Sequence, residues 1–286
     1  MKMEKISALV ALIMLIGILL VVAIFFKYGE KGKEMIQRGK NISTVTVKNL
    51  SIIVIYDNNP YKKELKTAWG FSCFIKGPEK TILFDTGGNG SILVKNMEKL
   101  GINPKEIDFV VLSHAHWDHV GGLHAIIEKN PTVTVYILKS FPRSFKEDLI
   151  KHGIKTVEVQ EPLKICEGFY TTGELGTWIK EQSLLINTEK GVIVITGCAH
   201  PGIVKIVSKA KDLVKNDVLL VIGGFHLSDK SKEEIEKIVF NFRRLGVSYV
   251  GPCHCSGRTA KDLFKKEYGK NFLDIGVGKK LTISSL

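Results

Sequence analysis

Four side chains that commonly bind metal ions lie together near the middle of the sequence. They form the pattern His-x-His-x-Asp-His at His114, His116, Asp118 and His119, one residue after the largely apolar residues 107–112. In an extended segment the first two histidines point to the same side, whereas the aspartate and the last histidine lie further along and can face a second ion. Imidazole and carboxylate ligands suit zinc, iron or manganese. A polar loop with surface histidines is the alternative, but this spacing at the end of a predicted strand favours a metal site.

Three further histidines follow predicted strands and stand close to glycine residues: His200, His226 and His254. An ion held by the first segment alone would lack a closed coordination shell, so further ligands must come from distant loops. Parallel strands present residues at their carboxyl ends, where these histidines can converge on the first motif. For His226 the sequence leaves a ligand, a substrate contact and a structural residue open. His124 and His152 are interpreted as structural or solvent-facing.

The elements that must position these residues are predicted from apolar periodicity and from the turn residues that bound each run. Apolar residues at helical spacing predict helices over residues 91–100, 202–215 and 231–245, the last opening with Ser231 and Glu234 as a capping box. No boundary rich in Pro, Ser or Gly interrupts residues 48–286, so we expect one α/β catalytic domain. Short apolar runs predict strands over residues 50–56, 71–75, 81–84, 107–112, 132–138, 156–159, 183–187, 192–196, 218–222 and 248–250.

The composition restricts the partners and the compartment. The chain has 286 residues, of which 41 are basic and 29 acidic, and its formal net charge of +12 favours an anionic partner. Charge alone does not select among phosphorylated small molecules, lipid headgroups and nucleic acid. The five cysteines are an odd number and widely spread, which favours a reducing compartment over a disulfide-stapled domain. The run Cys253-His254-Cys255 lacks a second ligand pair, so it does not predict a zinc knuckle.

The N-terminal part differs from the rest of the chain. Apart from Ser7, residues 6–26 are apolar or glycine, without a charge, and at about 1.5 Å per residue they would cross a hydrocarbon core of roughly 30 Å. We expect residues 1–26 to be a single transmembrane anchor and residues 27–47 a charged linker. A cleaved signal peptide is the alternative, but no Ala-x-Ala site precedes Lys27. More basic residues follow the run than precede it, which favours a single-pass membrane protein with a cytoplasmic catalytic domain.

The motif at residues 114–119 resembles the metal-binding signature of the metallo-β-lactamase superfamily. The resemblance implies an α/β fold, a four-layer αββα sandwich, with two divalent metal ions at the edge of its two sheets. Zinc is the first expectation for both ions, with manganese or iron as alternatives. The implied ligands are His114, His116 and His200 for one ion and Asp118, His119 and His254 for the other, and Asp118 is also the expected catalytic residue.

Three further positions are interpreted in the light of this resemblance. Asp85, which ends a predicted strand, would orient a ligand imidazole, although alone it would be taken as a turn residue. Many superfamily members have a Gly-Asp pair, whose carboxylate bridges the ions, where this sequence has glycine followed by Cys198. Either Cys198 supplies a thiolate, or solvent alone bridges the ions, or His200 serves in a different register. Glu181 is a candidate substrate contact, but a solvent-exposed turn residue is the simpler interpretation.

The order of the later motifs is similar to that of a narrower group, the 7,8-dihydropterin-6-yl-methyl-4-(β-D-ribofuranosyl)aminobenzene 5'-phosphate synthases. Shared features include Gly-Cys-Ala-His-Pro-Gly at residues 197–202 and Gly-Gly-Phe-His at residues 223–226, and the similarity runs from residue 48 to the C-terminus. The resemblance implies a transferase that joins a dihydropterin diphosphate to an arylamine ribosyl phosphate with loss of diphosphate. The expected partners are an anionic, phosphate-bearing small molecule and, through the N-terminal helix, a membrane.

Alternative functions are also compatible with the sequence. The wider superfamily suggests a hydrolase of esters, thioesters or phosphoesters that uses metal-activated water. A protein of another class, a non-catalytic, metal-stabilised binding protein, would not need so many ligands at strand ends. A nuclease would be expected to carry an inserted domain, for which little room follows His119, so nucleic acid is not an expected partner. A flavodiiron-like redox protein would need a carboxylate at His116. The sequence does not indicate the oligomeric state.

Overall fold

Two β-sheets organise residues 46–286, the part of the chain that the computed structural model describes. The first sheet contains β1 (Ser51–Tyr56), β2 (Ser72–Lys76), β3 (Thr81–Phe84), β4 (Phe109–Val111), β5 (Thr134–Leu138), β6 (Lys155–Val159) and β13 (Lys280–Thr282). Its strand order is β13-β1-β2-β3-β4-β5-β6. Pairing is antiparallel from β13 to β3 and parallel from β3 to β6.

The second sheet carries the later half of the chain. It contains β7 (Leu163–Cys166), β8 (Phe169–Thr171), β9 (Leu184–Thr188), β10 (Gly191–Thr196), β11 (Val218–Gly224) and β12 (Tyr249–Cys253), in the order β12-β11-β10-β9-β8-β7. Strands β10, β11 and β12 pair in parallel, and the others are antiparallel. β10 and β11 are buried along their whole length, as expected for central parallel strands rich in Val, Ile and Leu. One hydrophobic core includes residues of both sheets, such as Ile82 and Ile193.

Seven α-helices lie between the strands in residues 46–286: α1 (Gly90–Lys99), α2 (Trp117–Val120), α3 (Leu123–Lys129), α4 (Arg143–Lys151), α5 (Ile203–Val214), α6 (Lys232–Arg244) and α7 (Arg258–Tyr268). α1 and α4 pack against β1 and β6 of the first sheet, and α5 and α7 against β10, β11 and β12 of the second. The predicted capping box opens α6. Ser231 Oγ accepts a 3.2 Å hydrogen bond from Glu234 N, and the Glu234 carboxylate accepts one of 2.9 Å from Ser231 N.

The α/β fold is confirmed, and each predicted strand overlaps an observed one. The sequence analysis does not predict β7, β8 and β13, because they have only three or four residues, and β7 is largely exposed and lacks an apolar run. It also misses α7. This helix buries Ala260, Phe264 and Tyr268, which recur every four residues among charged side chains, so its helical period is present but sparse.

The parallel pairing decides where the predicted site residues lie. Asp85 follows β3, Cys198 follows β10 after one glycine, and His254 follows β12 directly. The histidine motif starts shortly after β4, at His114, and His226 follows β11. Each of these strands is parallel to at least one neighbour in its sheet, so the loops leave from carboxyl ends that lie side by side.

The predicted membrane anchor, residues 1–26, lies outside the described residues, as does most of the predicted linker. Among residues 46–286, no helix is both long and apolar enough to cross a membrane. The longest helix described, α6, has 13 residues and spans about 20 Å, well short of a hydrocarbon core of roughly 30 Å. Judged on the described residues, the prediction of a single-pass membrane location, with the membrane as a partner, is wrong.

Candidate metal centre

Asp85 fixes both ends of the loop that carries the histidine motif. Its carboxylate is fully buried, and Oδ1 accepts a 2.7 Å hydrogen bond from Ser113 N. Oδ2 accepts bonds of 2.7 Å from Ser113 Oγ and from His119 Nδ1. Because a carboxylate only accepts, His119 donates from Nδ1 and keeps the lone pair of Nε2 for a metal ion. Asp85 therefore lies where the sequence analysis expects it, beside a candidate ligand imidazole.

An inner group of four buried residues has its ligand atoms within 4.8 Å of one another: Asp118, His119, Cys198 and His254. His119 Nε2 lies 3.2 Å from Cys198 Sγ and 3.5 Å from Asp118 Oδ2. The same Asp118 oxygen lies 3.3 Å from His254 Nε2. Two nitrogen or oxygen ligands about 2.0–2.1 Å from a tetrahedral ion are about 3.3 Å apart, so these separations suit a coordination sphere.

His254 is held from outside the inner group by Asn58. Asn58 Oδ1 lies 3.0 Å from His254 Nδ1, and Asn58 Nδ2 donates a 3.2 Å hydrogen bond to the His254 carbonyl oxygen. An amide oxygen only accepts, so Nδ1 is the donor and Nε2 carries the free lone pair. The sequence analysis does not identify Asn58, because a single asparagine after a strand carries no signal of such a role.

An outer group, His114, His116 and His200, also has its ligand atoms within 4.8 Å of one another. His114 is buried, with Nδ1 2.9 Å from Ser113 Oγ and Nε2 3.0 Å from His116 Nδ1. His116 is exposed and His200 is partly buried. The structure thus gathers the residues expected around each ion and adds Cys198 to those expected around the second.

Glu181 holds the loop that supplies Cys198 and His200. Its Oε1 accepts hydrogen bonds from Cys198 N (2.9 Å) and Ala199 N (2.8 Å), and its Oε2 accepts one from His200 N (2.9 Å). Glu181 is only 1 % exposed, so the interpretation as a solvent-exposed turn residue is wrong. It fails because a buried carboxylate needs partners, and these partners are backbone N–H groups that the sequence does not reveal. Burial raises the pKa of Glu181, and the three hydrogen bonds oppose that shift.

Gly197 allows this loop to approach the histidine motif closely. A Cβ at Gly197 would lie 2.1 Å from Ser113 Oγ and 2.9 Å from Asp85 Oδ2. Since real side chains do not make contacts this short, only glycine fits between the loop after β10 and the Asp85–Ser113 pair. Loops from the two sheets therefore meet at this point, which brings Cys198 next to His119.

His226 and Cys255 border the two groups. Cys198, His200 and His226 each place one ligand atom within 4.8 Å of the others, and the His226 ring centroid lies 4.3 Å from that of His200. A hydrogen bond with Cys198 lowers the pKa of the Cys255 thiol to about 4, against the effect of burial and with help from His226. The same hydrogen bond and burial raise the pKa of Cys198. The cysteine pair therefore releases one proton readily and the second with difficulty.

The imidazoles of the outer group are neutral near pH 7, which is the form that binds metal ions. Burial, reinforced by the neighbouring imidazoles, lowers the pKa of His114 well below its ordinary value. Burial and His226 lower the pKa of His200 to about 4. Burial also lowers the pKa of His116, although Asp118 opposes the shift.

Charge interactions and hydrogen bonds outweigh burial in setting the pKa values of Asp118 and His119 in the inner group. Burial acts to raise the pKa of Asp118, but the contacts with His254 and His119 outweigh it and lower the pKa to about 2. Burial acts to lower the pKa of His119, but the Asp85 carboxylate outweighs it, and the pKa is raised. Asp118 is therefore ionised throughout the neutral range, as a carboxylate ligand must be.

Backbone strain is concentrated at the same edge. Asp85, Ala199, His226 and His254 have φ values of 54°, 64°, 51° and 48°, and they are four of the five non-glycine residues with positive φ in residues 46–286. Each such conformation costs on the order of 1–3 kcal/mol and persists only where the surrounding contacts impose it. Residues strained in this way cluster at functional sites, which supports the same role for this edge.

Two adjoining cavities give access to the ligands. The first, of about 370 Å³, is lined by residues of both groups and by Trp69 and Trp117. The second, of about 450 Å³, shares Trp69 and His254 with the first and contains Arg258 and Lys261. The two tryptophans are 49 % and 63 % exposed, so they offer aromatic surface at the entrance.

The donor set fits divalent metal ions. It combines neutral imidazoles with a carboxylate and a thiol, the ligand types that transition metals prefer in proteins. Nε2 of His200 is buried and makes no hydrogen bond among residues 46–286, and the buried Nε2 of His254 lies 3.3 Å from the Asp118 carboxylate, which cannot donate to its lone pair. Buried polar atoms are nearly always paired, so two nitrogens without a donor, each within a ligand group, indicate a missing electrophilic partner.

The comparisons with known proteins agree with this geometry. The sequence model of the metallo-beta-lactamase superfamily matches residues 70–220. The chain is 31 % identical over 267 residues to the 7,8-dihydropterin-6-methyl-4-(beta-D-ribofuranosyl)-aminobenzene-5'-phosphate synthase of Methanocaldococcus jannaschii, covering 78 % of this chain and 91 % of that protein. An uncharacterized protein of the same organism is also 31 % identical, over 81 % of this chain and all of its own length.

Among solved structures, Tm1679 is described as a metal-dependent hydrolase of the beta-lactamase superfamily. It aligns with a TM-score of 0.70 at 30 % identity, covering 81 % of this chain and 98 % of its own. The family match spans more than half of the sequence and includes the motif at residues 114–119. This chain therefore belongs to the metallo-β-lactamase superfamily.

Proposed function

We propose that this chain is an enzyme that uses two divalent metal ions, with zinc as the first choice and manganese or iron as alternatives. The observation that carries the proposal is the pair of neighbouring ligand groups. Among the three roles left open at the position of the bridging aspartate, the 3.2 Å contact with His119 favours a ligand role for Cys198, which would give up the proton that its raised pKa retains when an ion binds. The outer group would hold one ion through His114, His116 and His200, and the inner group the other through Asp118, His119, Cys198 and His254.

The chemistry would combine electrostatic stabilisation with positioning. When bound, the ions would neutralise a phosphate or diphosphate group and polarise the bond by which it leaves. Asp118 lines the cavity, and its pKa of about 2 makes it a hydrogen-bond acceptor rather than a strong base. We therefore assign it the catalytic task of orienting the attacking nucleophile. His226, at the cavity wall, would contact the substrate.

The cavities favour an anionic substrate with an aromatic part. Trp69 and Trp117 can stack on a flat ring such as a pterin, and Arg258 and Lys261 can bind phosphate oxygens. This combination matches the groups for which the M. jannaschii relative is named, a dihydropterin and an aminobenzene ribofuranosyl phosphate. Transfer of a dihydropterin group to an arylamine, with loss of diphosphate, is therefore the function that we favour.

Hydrolysis of an ester or thioester is the second candidate, supported by the description of Tm1679 as a metal-dependent hydrolase. The same ligand residues would serve that reaction. A non-catalytic, metal-stabilised binding protein is the alternative of another class. The exposed His116 and the cavity above it argue against that role, because a purely structural metal site is normally closed.

An activity screen separates these functions. The purified chain, loaded in turn with zinc, manganese and iron, would be given a dihydropterin diphosphate with an arylamine ribosyl phosphate, and separately esters and thioesters. We expect diphosphate release that depends on the arylamine. Turnover of esters or thioesters alone would favour the hydrolase, and no turnover of any substrate with the ions bound would favour the binding protein.

The anion-binding role of Lys261 can be tested within the same assay. Lys261→Gln removes a charge from the second cavity, whereas Lys265→Gln removes one from the exposed surface of the same helix, away from the cavity lining. Loss of a charge-assisted hydrogen bond should raise KM for the diphosphate substrate about tenfold or more in the first variant only. Equal KM values in the two variants would contradict this assignment.

A further inference from the structure

A third cluster of metal-binding side chains lies on the surface, apart from the ligand groups described above. His124 belongs to α3, Asp148 to α4, and His152 follows α4 directly. One ligand atom of each residue lies within 4.8 Å of those of the other two. We propose that these three side chains form a separate binding site for a divalent transition-metal ion such as zinc, nickel or copper.

The distances suit a single ion. His124 Nε2 lies 3.0 Å from Asp148 Oδ2, and His152 Nδ1 lies 3.6 Å from Asp148 Oδ1. These values lie on either side of the separation of about 3.3 Å between two ligand atoms of a tetrahedral ion. Two imidazoles and one carboxylate are an established ligand set for zinc, with the fourth position left to water. The chemistry of the cluster therefore matches its geometry.

The helices arrange the ligands before an ion binds. Asp148 and His152 are four residues apart, so they lie on one face at the end of α4. The His152 backbone N–H donates a 3.1 Å hydrogen bond to the Asp148 carbonyl oxygen, and the ring Nδ1 donates one of 2.8 Å to the same oxygen, so Nδ1 must give up this bond and its proton before it can bind an ion. The His124 and His152 ring centroids are 5.1 Å apart, and each ring has a nitrogen within 3.6 Å of the Asp148 carboxylate. Coordination then needs a rotation of the His152 ring that breaks its hydrogen bond with the carbonyl oxygen, but no movement of the helices.

Exposure distinguishes this cluster from the metal centre. The side chains of His124, Asp148 and His152 are 55 %, 41 % and 42 % exposed, so an ion from solution reaches them without a backbone movement. The same exposure, expected from the sequence for both histidines, means that the ion exchanges with solvent. A bound ion ties α3, which follows the histidine motif closely, to α4, and it stabilises the fold by mass action.

Copper binding to the zinc-loaded full chain tests the proposal. The double variant His124→Ala, His152→Ala removes two ligands, and Glu147→Gln, beside Asp148 on α4, is the matched control that removes an exposed charge but no ligand. By equilibrium dialysis at low-micromolar free Cu²⁺, the wild type and Glu147→Gln should bind one ion more than the double variant. Electron paramagnetic resonance should show nitrogen coupling to that extra ion.

Equal copper stoichiometry in the three proteins would overturn the proposal, and so would an extra ion without nitrogen coupling. The zinc content and the turnover, measured in the same samples, should not differ among the three proteins. Failure of the surface site would therefore leave the proposed enzymatic function unaffected.

Discussion

The inner and outer ligand groups differ in burial and in the support that they receive. All four inner residues are buried, and Asp85 and Asn58 hold the inner histidines His119 and His254 from outside the group. In the outer group, His116 is exposed, and its hydrogen bond is to another outer histidine, His114. The inner group is thus fixed by the fold, whereas part of the outer group is fixed only by its own members.

This difference suggests a division of labour. Sites in which the protein supplies four ligands hold their metal firmly, whereas three ligands leave a position for solvent or substrate. The inner group offers four ligand atoms and the outer group three. We infer that an inner ion is held more firmly and that an outer ion exchanges more readily, although residues of both groups line the first cavity.

His119→Ala has the largest expected effect, because it removes the inner ligand that Asp85 orients. Metal ions supply several kcal/mol of transition-state stabilisation, so turnover should fall on the order of 10³-fold or more. After dialysis the variant should have lost the tightly held ion, as measured by elemental analysis. His116→Ala is the matched variant of the outer group, and it should keep that ion while losing the exchangeable one. Retention of both ions in His119→Ala would contradict the proposed difference between the inner and outer groups.

Asp85→Asn should have the next largest effect. The amide keeps the shape but loses the charge, and its NH₂ group cannot accept one of the hydrogen bonds from Ser113 and His119. Residues that orient a metal ligand typically contribute 10–100-fold, so affinity for the inner ion should fall by about that factor. A chelator competition assay measures it. An unchanged affinity would show that the inner group does not depend on outside support.

Glu181→Gln should mainly weaken the loop of Cys198 and His200. One amide group cannot accept all three backbone hydrogen bonds, so a buried N–H group is left without a partner. The free energy of unfolding of the metal-free chain should fall by about 1–3 kcal/mol in a urea titration. Glu189→Gln, at a half-exposed side chain, is the control and should change it by less than about 0.5 kcal/mol. Equal losses would contradict the role of Glu181.

The inner and outer groups should also differ in how they make the free energy of unfolding depend on pH, and this effect should be smaller than those above. The folded chain lowers the pKa of His114, His116 and His200, so between their folded values and 6.5 the unfolded chain binds more protons. Their contribution is complete above pH 6.5 and is lost as the pH falls toward 4. His119 has a raised pKa, so its contribution is present below pH 6.5 and is lost as the pH rises through its folded value.

Urea titrations of the metal-free chain from pH 7 to pH 4 measure this dependence. His200→Gln should reduce the loss of stability on acidification, by less than the loss caused by Glu181→Gln because His200 is partly exposed. A steeper loss of the free energy of unfolding in the variant would show that the outer imidazoles do not control the loss of stability at acidic pH.

The parts of this site that the sequence predicts are those whose signal is local. The four candidate ligands of the motif lie within six residues, and His200 and His254 follow strands that consecutive apolar residues reveal. The α/β fold follows from the same periodicity. The sequence also shows that Cys198 departs from the family pattern. The three roles considered at this position differ only in interatomic distances, which a sequence does not contain.

The supporting residues could not be predicted, because their partners are distant in the chain or belong to the backbone. Asn58 is 196 residues from His254, and Glu181 binds three N–H groups whose orientation depends on the φ of 64° at Ala199. Cys255 gains its low pKa mainly through contact with Cys198, with help from His226. The usual exposure of carboxylates would have placed Glu181 at the surface, since carboxylates are seldom buried without a partner.

The most direct test of the central claim is a crystal structure of the zinc-loaded chain with anomalous scattering measured at the zinc edge. The account predicts two neighbouring peaks at the metal centre. One should lie about 2.0–2.3 Å from ligand atoms of Asp118, His119, Cys198 and His254, and the other, of lower occupancy after dialysis, at about the same distance from His114, His116 and His200. A structure with zinc bound elsewhere and none in contact with either group would contradict the account.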